Sequence, residues 1–106
     1  MRLYQFLLPT VQNNGHSYPS GALARFEHTA ELLCGGFTVF PSVGGVWVDS
    51  KTDHRYYDES IPIQVAVPNE DGDNILRALI TQFQDSFPDQ KSIMVTDMGE
   101  VTFYGD

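Results

Sequence analysis

The sequence predicts a single α+β domain in which two helices lie on one face of an antiparallel sheet. Three observations carry that expectation. A chain of 106 residues with 42% apolar and 12% aromatic content can build one core and is short for two domains. Two segments repeat their apolar residues at helical spacing, and short β-branched and aromatic runs flank them on both sides.

The first run, Leu3 to Leu8, is dense in apolar and aromatic residues and meets Pro9, which has no N–H for a ladder, so it predicts a strand that stops there. Thr10 to Ser20 is rich in Asn, Gly, Ser and Pro, with a turn signal at Asn13-Asn14-Gly15, and predicts a surface loop. From Gly21 to Cys34, Leu23, Phe26, Ala30 and Leu33 recur at steps of three and four, and Gly35-Gly36 supplies the stop of a first helix. Phe37 to Phe40 and Val46 to Asp49 then predict a tight hairpin about the turn Pro41 to Gly45, with Phe37 and Val39 pairing Val46 and Val48.

A second turn at Ser50 to His54 leads into extended segments at Arg55 to Tyr57 and Ile61 to Val67. Ile61, Ile63, Val65 and Val67 share one face, and Pro62 predicts an edge position or a bulge. Asn69 to Asp73 places acids to cap a second helix, whose face is Leu76, Leu79, Ile80, Phe83 and Phe87 and which ends near Pro88. Ser92 to Val95 predicts a strand, and a turn at Met98-Gly99 leads to another at Val101 to Tyr104. The resulting order is a split β-α-β, ferredoxin-like arrangement with an extra hairpin.

Charge is distributed unevenly. Up to Val48, Glu27 and Glu31 balance Arg2 and Arg25, so the whole net charge of −8 falls from Asp49 onward. Such a surface repels nucleic-acid phosphates and anionic membranes and attracts a protein partner with a basic surface. Direct nucleic-acid binding and membrane binding are therefore not expected. The N-terminus lacks the apolar region and cleavage site of a signal peptide, no apolar run approaches the ~20 residues of a membrane span, and the lone Cys34 suits a reducing compartment. Together these predict a cytoplasmic protein.

The search for chemistry is mostly negative. There is no Gly-rich phosphate loop before a helix, no nucleophile elbow and no zinc-type Cys/His grouping, so no cofactor and no metal are expected. Cys34 precedes the glycine stop of a helix, where the dipole disfavours a thiolate, and reads as structural. His28 falls on the solvated flank of the first helix.

Gly35-Gly36-Phe37-Thr38-Val39, Gly45-Val46-Trp47, the hairpin with Tyr56-Tyr57-Asp58-Glu59-Ser60, and the late Phe83, Phe87, Gln90, Ser92 to Val95, Val101 and Phe103 resemble a family of small uncharacterised bacterial proteins with a domain of unknown function. In that family a G-hydrophobic-T-V strand leads to G-x-W, a hairpin with an acid before Ser, and a final F-x-Q-x-S-V strand. The resemblance spans roughly residues 32 to 104. It implies a ferredoxin-like α+β fold and brings no reaction and no catalytic residues. The chain departs from the pattern in lacking an export or lipoprotein signal and in being more acidic.

Two function classes follow. The first is a non-enzymatic acidic binding or regulatory protein, such as a phage or mobile-element inhibitor of a basic nucleic-acid-binding partner. Its contact candidates are Trp47, Asp53, Tyr56, Tyr57, Asp58 and Glu59, where large rings adjoin acids. The alternative is a small enzyme or small-molecule sensor with a pocket between the sheet and the 10–20 loop, using His16, Tyr18 and His54. A homodimer formed through the sheet is compatible with either.

Overall fold

The computed structural model describes residues 1–19, 21–90 and 92–105. The apolar and aromatic run at the N-terminus forms β1, Arg2–Pro9, and the loop after it leads into α1, Ala22–Cys34. Two short strands follow, β2 at Thr38–Val39 and β3 at Val43–Val48. Then come the 13-residue β4, Arg55–Val67, helix α2, Gly72–Ser86, and β5, Val95–Glu100. The strands lie in the order β2-β4-β1-β5, with β3 also on β4, and every pairing is antiparallel. This is the ferredoxin-like α+β arrangement that both the element order and the family resemblance imply.

The expected hairpin between Phe37–Phe40 and Val46–Asp49 does not form. Instead β2 and β3 lie end to end along the same edge of β4: Val39 pairs with Ile63, and Val43 with Ser60. Phe40, Pro41 and Ser42 thus face only Ile61 and Pro62, a one-residue slip of the kind that defines a bulge. Phe40 donates its N–H to the Pro62 carbonyl at 3.0 Å, and Pro62 has no N–H to return. The slip is where an interior strand tolerates a proline. The extended segments expected at Arg55–Tyr57 and Ile61–Val67 form one continuous strand, since β4 runs through both.

At the other edge, Arg2 pairs with Glu100 and Tyr4 with Asp97, so one residue of β5 is extra. Gly99 takes it up at φ +91°, and its N–H bonds the Asp97 carboxylate at 2.9 Å. The Arg2 guanidinium grips the same carboxylate through Nε and a terminal nitrogen at 2.9 to 3.2 Å. These hydrogen bonds hold Asp97 below the ordinary carboxylate range. No strand forms at Val101–Tyr104, contrary to expectation. Val101 still donates its N–H to the Met1 carbonyl at 2.9 Å, but the ladder of β5 on β1 ends at the Arg2–Glu100 pair.

Both helices cover the face of the sheet that carries Phe6, Leu8, Ile63, Val65 and Val67, all buried. The rings of Phe6 and Phe26 meet edge to face at 5.0 Å, and Phe83 lies 6.3 Å from Phe6 and 6.2 Å from Phe26. In α2 the buried stripe is the expected one, with Leu79 and Phe83 on the helix and Phe87 just after it. In α1 it is Ala22, Phe26 and Ala30, with Leu23 and Cys34 at its margin, whereas Leu33 is 37% exposed and Leu32 72%. Gly35 ends α1 as expected, at φ +86° with its N–H on the Glu31 carbonyl. The start of α2 differs: Asp71 occupies the cap position in a left-handed conformation and makes no side-chain cap bond, accepting instead from Asn74 at 2.6 Å.

Candidate functional site

Beyond the slip at Pro62, β3 and the first half of β4 leave the helices behind and project as a two-stranded ribbon. At about 3.3 Å per residue the 13 residues of β4 span about 43 Å, which accounts for most of the molecule's 50 Å long dimension. Register places Val46 opposite Tyr57, Trp47 opposite Tyr56 and Gly45 opposite Asp58. Directly opposed residues share a face, so the ribbon has two distinct sides.

One side brings together Trp47, Tyr56 and Asp58. The indole Nε1 donates to Asp58 Oδ2 at 2.7 Å, and His54 packs edge to face on Tyr56 with ring centroids 4.4 Å apart. Trp47 nevertheless remains 55% exposed. The side chain of Asp58 can lie across the strand because position 45 is glycine: a Cβ there would stand 2.9 Å from Asp58 Oδ1. That role of Gly45 was not foreseen from sequence.

The other side carries Tyr57, 75% exposed, with Val46 and Val48 beside it, and Glu59, which accepts from Ser42 Oγ at 2.9 Å. Asp53 lies in neither set. It sits in the tip turn at φ +57°, donating its N–H to the Asp49 carbonyl at 2.8 Å. The six contact candidates therefore share one ribbon but divide between its two sides and its tip. Among the described residues the one ion pair is Arg2 with Asp97, so no cation of the described residues pairs with the ribbon's acids.

The residues of the alternative site are not brought together. His54 stands at the ribbon tip, about 20 Å along β4 from Ser60, which pairs with Pro9 where the 10–20 loop begins. Tyr18 is anchored: its hydroxyl donates to Asp89 Oδ1 at 2.5 Å and accepts from Gln90 at 2.9 Å, and its ring meets Phe87 at 4.8 Å. Burial first, then the bond to the carboxylate, push the phenol up to about 12. Burial opposes ionisation of Asp89, but bonds from Tyr18, the Asn13 N–H and Gln90 outweigh it and hold that carboxyl below its usual range. The loop is thus latched onto the end of α2. His16 is exposed in a small turn closed by Val11 and Ser17.

Two surface grooves lie elsewhere. One of about 510 Å³ is bounded by Arg2, Tyr4, Asp71 and Arg77, and another of about 440 Å³ by Leu3, Cys34, Gln64 and Phe103. Neither is lined by His16, Tyr18 or His54. Burial raises the Cys34 thiol, as suits a packed cysteine and not a nucleophile. Among the described residues no three His, Cys, Asp or Glu side chains converge as a metal site, and no helix is long and apolar enough to cross a membrane.

No family model and no curated protein sequence matches the chain. Solved structures do match in fold. A phage SAM lyase in complex with S-methyl-5'-thioadenosine superposes with a TM-score of 0.66 at 13% identity, over 92% of this chain and 80% of the lyase. CutA1 from the psychrotrophic bacterium Shewanella sp. SIB1 gives 0.67 at 11% identity, over 98% and 84%. The divalent ion tolerance protein CutA1 from Ehrlichia chaffeensis gives 0.59 at 15% identity, over 95% and 83%. At these identities the likeness is one of fold: the chain is a ferredoxin-like α+β domain similar to CutA1 and to the phage lyase in architecture.

Proposed function

We propose that the chain is a binding protein that engages a basic protein surface through the projecting ribbon. The observation that carries this reading is the Trp47–Tyr56–Asp58 side, where exposed rings adjoin a carboxylate that makes no ion pair with any cation among the described residues. Aromatic faces beside carboxylates suit Arg and Lys, which gain both cation–π and charge-assisted contacts. Tyr57, Glu59 and Asp53 extend the same chemistry to the other side and the tip. A partner whose basic surface otherwise holds nucleic acid fits this chemistry, and covering that surface would inhibit it.

A ligand site built from His16, Tyr18 and His54 has less support, because Tyr18 is held by Asp89 and His54 lies far along the ribbon. An oligo-arginine peptide labelled for fluorescence anisotropy tests the favoured reading. Affinity should fall several-fold from low to physiological salt, and Asp58→Lys with Glu59→Lys should cost at least tenfold. Binding indifferent to both changes would exclude the ribbon as an acidic docking surface.

A further inference from the structure

The two outer edges of the sheet are built very differently. The β5 edge is blunted by the Gly99 bulge and by Asp97 and Glu100, the devices by which sheets avoid edge pairing. Within Val43–Val48 itself the β3 edge has neither a bulge nor a charge. Val43–Val48 reads Val-Gly-Gly-Val-Trp-Val, pairs β4 on one side, and has no further backbone hydrogen bond among the described residues. It carries no charged side chain, and a Cβ at Gly44 would meet open space.

From these features we infer that β3 pairs antiparallel with β3 of a second copy, joining two sheets across a twofold axis. Charge selects that occupant. Two chains of net charge −8 repel, so they need an uncharged place to meet, and no charged residue lies between Glu31 and Asp49. An antiparallel edge is also self-complementary under twofold symmetry, and the pair closes at two copies. Val43, Val46, Val48 and Trp47, each about half exposed, supply the apolar area beside the new ladder. The inference rests on the backbone edge and is independent of any basic partner.

Light scattering after size exclusion should give twice the 11.9 kDa chain mass at micromolar concentration, unchanged by salt. Val46→Lys with Val48→Lys places like charges across the ladder and should return a folded monomer by circular dichroism. Asp58→Lys with Glu59→Lys should leave the dimer mass intact while weakening the arginine peptide, which separates this inference from the functional one. A monomeric native chain, a trimer or larger species, or a dimer indifferent to the lysine pair would overturn it. Should the lysine variant not fold, amide exchange of Val43–Val48 in the native chain decides: protection rising with protein concentration supports the pairing, and concentration-independent exchange refutes it.

Discussion

Asp58 occupies the space that a side chain at position 45 would need. A Cβ on Gly45 would come within 2.9 Å of Asp58 Oδ1, while Asp58 Oδ2 accepts the Trp47 indole N–H at 2.7 Å. The glycine is therefore what permits the indole and the carboxylate to meet. In Gly45→Ala the carboxylate, being the free end of a side chain, should swing away. Stability should change by no more than about 1 kcal/mol. The indole N–H resonance should nevertheless shift and the tryptophan emission move to longer wavelength. An unchanged indole resonance would mean that the bond does not hold in solution.

The latch on the 10–20 loop makes a pH-dependent contribution of known sign. Asp89 titrates lower in the folded chain than unfolded, so its stabilisation is present above the ordinary carboxylate range and is lost as pH falls through the depressed value. Tyr18 titrates higher when folded, at about 12, so its share is complete below the usual phenol value near 10 and disappears as pH rises through about 12. Tyr18→Phe should cost about 1–2 kcal/mol at neutral pH and flatten the stability profile at both ends. Denaturant titrations across pH check this, and parallel wild-type and variant profiles would contradict it.

Phe26 and Phe83 each touch Phe6 at the centre of the core, and all three are buried. Phe83→Ala and Phe26→Ala should each destabilise by about 3–5 kcal/mol, through lost burial and the cavity left behind. Leu32→Ala, on the exposed flank of α1, should cost less than about 1 kcal/mol. Equal losses at Leu32 and Phe26 would reverse the assignment of that helix's faces.

Gly99 holds the β5 bulge at φ +91°, a conformation that costs other residues about 1–3 kcal/mol. Gly99→Val should destabilise by that amount and loosen the Arg2–Asp97 contact, seen as faster amide exchange at Arg2 and Tyr4. A neutral outcome would show that the strand pairs without the bulge.

Local patterns in the sequence were legible wherever a residue's fate depends on its neighbours in the chain. The alternation from Ile61 to Val67, the spacing of Leu79, Phe83 and Phe87, and the Gly35 stop all correspond to observed structure. Pairing was less legible, because it depends on distant segments. Pro41 to Gly45 has the composition of a hairpin turn, yet β4 is long enough to accept both flanking strands on one edge. Val101 to Tyr104 has strong β composition, but the β5 ladder ends where Glu100 meets Arg2, the first residue of β1. Leu33 was misplaced because the small residues Ala22 and Ala30 let α1 approach the sheet on a neighbouring stripe. At the ribbon, the six contact candidates proved to share one element, whereas their division between its sides depended on a register that composition does not encode.

The slip opposite Pro62 acts on side chains as a frameshift acts on codons. Ahead of it, odd-numbered Val39 shares the helix-covered side with Ile63; past it, even-numbered Val46 takes that side with Tyr57, and Trp47 is turned away. Were the same residues to pair without the slip, Trp47 would stand opposite Arg55 and share the side of Tyr57, away from Asp58. The extra residue taken up between Phe40 and Ser42 thus decides which side of the ribbon presents the tryptophan.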